Sequence, residues 1–174
     1  MVRSALQQRS GAIGQGPRRG ALLAPAVSVV VGSFVSVLPI VSSAGWGPDF
    51  GFLMLIAWRL LRADPWPAWW AAPLGFVNDL VTGSPIGQSI TLWPLAMLLL
   101  DLADGRTLWR DYWIEWLIAV LLILGEIWLS WRVAAWGGAH VPFSAMLPTA
   151  LLSMVAFPLV AGIASHIDRW RLGR

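Results

Sequence analysis

The sequence predicts an all-α fold: a polytopic membrane helix bundle of about six transmembrane helices, with the N- and C-termini on the same, cytoplasmic side. Three observations predict it: an apolar composition, apolar runs of spanning length, and arginines confined to alternate connections. Of 174 residues, 57% are hydrophobic and 12% charged, with a mean hydropathy of +0.69. A water-soluble globule of that length needs more polar surface than this chain supplies.

A hydrocarbon core about 30 Å thick asks for roughly 17 to 25 mostly apolar residues per helix. Turn signals divide the chain into spans at 21–43, 49–62, 67–82, 87–102, 112–136 and 143–167. The second, 14 residues from Asp49 to Arg62, is short, and a re-entrant course is its alternative. Charge placement favours a crossing. With six crossings and the N-terminus inside, eleven of the twelve arginines face the cytoplasm, and the connections at 44–48, 83–86 and 137–142 hold no basic residue. Tryptophan repeats the pattern, with Trp66, Trp69, Trp70, Trp109, Trp113, Trp116 and Trp170 at inner boundaries and Trp46 and Trp136 at outer ones. Arg59, beside Trp58, is expected to snorkel to the inner surface.

The division expected is a disordered cytoplasmic tail at 1–20, a six-helix domain at 21–167 and a short cytoplasmic tail at 168–174. The Arg18-Arg19 pair has the look of an export signal, but more membrane helix follows it instead of a soluble domain. Although the net charge is +3, the basic residues are scattered between apolar runs and form no groove for nucleic acid. With no cysteine, disulfides, thiolate metal sites and cysteine nucleophiles are excluded.

The most informative stretch closes the third span. Gly75, Asp79, Gly83 and Gly87 recur every fourth residue, with Asn78 beside the carboxylate. At roughly 100° per residue the first three share one helical stripe, on which glycines admit a neighbouring backbone and Asp79 faces that neighbour. The stripe is expected to serve helix packing and partner docking. The alternative is that the glycines only form the turn at Gly83-Ser84-Pro85 and Asp79 reaches water.

That segment, together with the Pro48-Asp49 pair opening a Leu-rich second span that ends in Trp58-Arg59, and the six-span layout, resembles the rod shape-determining MreD family of small bacterial inner-membrane proteins. The resemblance implies a non-enzymatic scaffold of the cell-elongation machinery. It implies a bitopic MreC-like partner and, indirectly, MreB, RodA and a class B penicillin-binding transpeptidase. It implies no cofactor.

Ionisable groups inside a bilayer cost about 3 kcal/mol each on insertion scales and call for explanation. Glu126 falls mid-way along the fifth span and Arg132 nearer its outer end; six residues apart, they sit about 240° round the helix and do not face each other. Arg132 and Asp79 lie at similar depth on different helices, so an Asp79–Arg132 ion pair is expected to set the register of spans three and five. Glu126 is either a protonated acid or a group facing a polar cavity.

Catalytic constellations are missing. Asp101 and Asp104 open the inner loop, but no second aspartate pair follows to complete a two-metal site, and Asp111 is placed as the cap of the fifth span. His140 and His166 fall at opposite ends and share no metal. Ser84 lacks the setting of a membrane serine protease. The competing reading is a small-molecule-binding or transport subunit. It would gather Asn78, Asp79, Gln88, Ser89, Glu126 and Arg132 round one pocket, where a scaffold would bury them pairwise.

Overall fold

The computed structural model describes residues 23–38, 47–62, 67–104, 112–138 and 140–172. The expected tail at 1–20, and Trp46, Trp66, Arg106, Trp109, Arg110 and Asp111, lie outside the described residues.

Among those described, the fold is all-helical, with six α-helices and no strand: α1 (Ala24–Ser36), α2 (Phe50–Leu61), α3 (Ala71–Thr82), α4 (Gln88–Asp104), α5 (Tyr112–Trp136) and α6 (Leu147–Leu172). Each expected span overlaps one of them, and α4 runs two residues past the end expected at 102. Short 3₁₀ turns, Ala68–Trp70 and Phe143–Met146, lead into α3 and α6. By length and composition α5 and α6 are long and apolar enough to cross a membrane, while α1, α2 and α4 are shorter apolar helices. α6 runs past the boundary expected at 167, because Asp168 is drawn into the packed interior.

α2 is apolar all round, and a helix of that kind needs cover on every side. It has it: every residue from Gly51 to Leu60 is buried. α1, α4, α5 and α6 surround it, and Trp58, fully buried, donates its indole N–H to Ser28 Oγ of α1 at 2.8 Å. Gly32 lets α1 press onto the start of α2; a Cβ there would stand 2.7 Å from the Phe50 carbonyl oxygen. α3 and α4 form a tight hairpin in which Gly75 meets the backbone of Ser89 so closely that any Cβ would collide with its carbonyl. α5 and α6 complete the bundle and leave much of their length exposed, as lipid-facing helices do.

The two ends of the bundle differ chemically. At one end Arg59 of α2 pairs with Asp101 of α4, and Arg62 Nε lies 2.9 Å from Asp168 Oδ2 of α6. At the opposite end, helix termini are tied by carboxylates and hydroxyls.

Arg59 therefore departs from the expected snorkelling. It is only 6% exposed and is held by a carboxylate of its own chain. A buried guanidinium needs such a partner, because desolvation outweighs what van der Waals packing returns.

Candidate functional site: a polar recess opposite the arginine end

Four helix ends meet at the pole away from the arginines: the last turn of α1, the first of α2, the last of α3 and the first of α4. Free N–H groups at a helix start need acceptors. Asp49 caps α2, accepting the Phe52 N–H at 3.0 Å, and Ser36 Oγ of α1 accepts the Phe50 N–H at 2.9 Å. Asp79 does the same across the hairpin, accepting the N–H of Gly87 and of Ser89 of α4, each at 2.9 Å. Asn78 joins the two systems, donating to Asp49 Oδ2 at 2.9 Å and to Ser89 Oγ at 3.2 Å.

α1 to α4 are short, 12 to 17 residues against 25 and 26 for α5 and α6. At 1.5 Å per residue the longer pair is at least roughly 12 Å longer than any of the others. A cavity of about 420 Å³ lies between. Ser36, Asp49, Thr82, Ser84, Gln88 and Ser89 line it from the short helices and their connections; Glu126 and Ser130 line it from α5, and Met146, Thr149 and Ser153 from α6 and the turn before it. The wall is internally wired: Gln88 Nε2 donates to Ser130 Oγ at 2.8 Å, and Ser130 Oγ donates to Glu126 Oε1 at 2.8 Å.

The residues singled out in the sequence fall into three groups. Asp49, Pro48 and Glu126 line the cavity. Gly75, Asn78 and Asp79 are buried within the α3–α4 hairpin and against α2, and this part of the stripe packs the chain's own helices. Gly83 and Gly87 take no part in packing. They have φ of +70° and +104° with open space where a Cβ would be, and their role is the hairpin turn, which L side chains rarely permit.

The expected Asp79–Arg132 pair is not formed. Asp79 is 1% exposed with both oxygens engaged by backbone N–H groups, whereas Arg132 is exposed and lies 6.0 Å from the ring centroids of Trp128 and Trp131. Counting residues along helices gives depth but not azimuth, and these two side chains share only depth. A carboxylate already holding two charge-assisted bonds gains little from a distant cation, and stacking on indole satisfies the arginine locally.

Several participants had no advance signal. Ser36 is 14 residues from the N–H it caps, and Asp101 is 42 residues from Arg59. Ser130 was legible, because a hydroxyl four residues after Glu126 shares its helical face. Among the described residues no group of three or more His, Cys, Asp or Glu gathers as a metal site. His140 bonds the Gly138 carbonyl in the α5–α6 connection, and His166 sits exposed towards the C-terminus of α6.

Compared with known proteins, residues 19–162 match a family model described as rod shape-determining protein MreD. No curated protein and no solved structure matches the chain.

Proposed function

Because the chain belongs to the rod shape-determining protein MreD family and so takes part in rod-shape determination, we propose that it is a non-enzymatic scaffold subunit of the cell-elongation, peptidoglycan-synthesising machinery. It resides in the bacterial inner membrane as a multi-pass protein with both termini cytoplasmic. It docks a bitopic MreC-like partner and, through that partner, MreB, RodA and a class B penicillin-binding transpeptidase.

One observation carries the scaffold reading: α5 and α6 each present an uncovered apolar stripe. Trp113, Leu117, Leu121, Leu124 and Trp128 follow one another at helical spacing along α5, and Leu151, Val155, Leu159 and Ile163 along α6, all exposed. A chain with hardly any polar domain has only such faces to offer a single-span partner, and close packing of apolar helices is what drives association in lipid. Photocrosslinkers at Leu121 and Val155, with a tagged MreC-like partner in the same cells, should capture that partner. Depletion of the chain should round the cells. Capture only from the α3–α4 hairpin, or depletion that leaves rods intact, would contradict the reading.

A second reading, that the subunit also binds a small molecule, is supported by the polar recess. Of the six residues expected round a pocket, Gln88, Ser89 and Glu126 line it, Asn78 stands one hydrogen bond behind its wall, and Asp79 and Arg132 lie outside the lining. A cavity of about 420 Å³ is within the usual range of ligand sites.

A further inference from the structure

The recess has an uneven chemistry. Among the described residues it holds two carboxylates, Asp49 and Glu126, and no Arg, Lys or His lines it. Asp49 is committed, with one oxygen on the Phe52 N–H and the other on Asn78. Glu126 is not: one oxygen takes the Ser130 hydroxyl, and the other makes no hydrogen bond among the described residues. One of the two amide N–H groups of Gln88 is given to Ser130. The lining keeps acceptors for a cationic donor, namely a carboxylate oxygen, the Gln88 carbonyl and the lone pairs of serine and threonine hydroxyls, beside the second Gln88 N–H and the hydroxyl protons.

A second observation concerns the far side of Glu126. An apolar groove of about 100 Å³ runs between α4 and α5, lined by Leu92, Leu95, Leu99, Leu121, Gly125 and Leu129 among others, and Glu126 belongs to this groove as well as to the recess. Leu95, Leu99 and Leu121 are each close to half exposed or more, so the groove opens sideways. Gly125 has nothing near it where a side chain would stand. Polar space and lipid-facing space therefore meet at one carboxylate.

We propose that the recess binds an organic primary ammonium group, with Glu126 as its counter-ion and the hydroxyls of Ser130, Ser153 and Thr149 among the acceptors of its N–H bonds. A carboxylate in poorly hydrated space without a basic neighbour is costly, and an ammonium supplies both the missing charge and three donors. A phosphate or carboxylate ligand would meet like charge. The ammonium arrives either on a small soluble amine entering from the open pole or on the head of an amine-bearing amphiphile whose tail occupies the α4–α5 groove. The inference rests on the small-molecule-binding reading.

The test uses the full chain in lipid nanodiscs, with unfolding followed by intrinsic tryptophan fluorescence. The probes are octylammonium, octanol, octanoate, ethanolamine, glucose and sodium chloride at matched ionic strength. Octylammonium should raise the unfolding midpoint saturably while octanol and octanoate do not, and Glu126→Gln should weaken the effect at least tenfold. If ethanolamine matches octylammonium, the source is a soluble amine. If only the tailed amine binds, and Leu95→Trp or Leu129→Trp blocks it, the source is an amphiphile. Equal stabilisation by octanol, or by sodium ions alone, would overturn the proposal. Binding of glucose in place of the amines would overturn it while leaving the binding reading standing, and no saturable effect from any probe would overturn both. Should Glu126→Gln fail to fold, the comparison of ammonium with alcohol on the unaltered chain decides by itself.

Discussion

The carboxylate of Asp79, on the third helix, accepts the backbone N–H of Ser89 at 2.9 Å and so caps the fourth helix from across the hairpin. The most conspicuous acid in the sequence is thus a structural cap, 1% exposed, with Gly87 N–H on its other oxygen.

Asp79→Ala removes two charge-assisted hydrogen bonds and leaves buried N–H groups without acceptors. The expected loss is about 2–4 kcal/mol, read as a lower unfolding midpoint in detergent or nanodiscs. Arg132→Ala should leave that midpoint nearly unchanged, and a charge exchange between positions 79 and 132 should rescue nothing. Rescue by the exchange would restore the pairing expected from the sequence.

The glycines separate cleanly by environment. Gly75→Ala places a methyl group on the Ser89 carbonyl, a backbone atom that cannot swing aside, and should cost about 2–3 kcal/mol or abolish folding. Gly125→Ala and Gly162→Ala meet nothing within 4 Å and should be neutral or stabilising by up to about 1 kcal/mol, since alanine is the better helix former. Three single substitutions compared by thermal unfolding decide it; equal effects at all three would refute the close α3–α4 contact.

At the arginine pole, Asp101→Ala deprives the buried Arg59 of a partner, but Asp101 itself is 45% exposed, so water compensates in part. A loss of about 1–3 kcal/mol is expected. Replacing both residues together, Arg59→Met with Asp101→Leu, should cost less than Asp101→Ala alone plus Arg59→Met alone. Strict additivity in that double-mutant cycle would show that the pair does not interact.

The helices were legible because apolar runs, glycines and prolines mark them directly; α5 begins and ends at the residues expected, 112 and 136. The site was legible only as a set of candidates. Asp49, Gln88, Ser89 and Glu126 stand out as polar groups in apolar surroundings, yet which of them share a cavity depends on the rotation of each helix about its axis. Period and depth do not supply that rotation. The errors have this origin. Asp79 and Arg132 agree in depth and disagree in direction, and Arg59 looked free to reach water because Asp101, its partner, stands 42 residues later. The Gly75–Gly87 stripe divides between its two readings, because the same four-residue spacing serves a packing contact at Gly75 and turn geometry at Gly83 and Gly87.

The central claim is a six-crossing chain with its arginine pole in the cytoplasm and its recess facing the other way, and the chain's lack of cysteine makes one experiment especially direct. Single cysteines introduced at Asp64, Gly83, Arg106 and Gly138 can be probed with a membrane-impermeant maleimide in intact spheroplasts. The account predicts labelling at 83 and 138 without permeabilisation and at 64 and 106 only after it. Labelling of 64 or 106 in intact cells, or protection of 83 and 138, would contradict it.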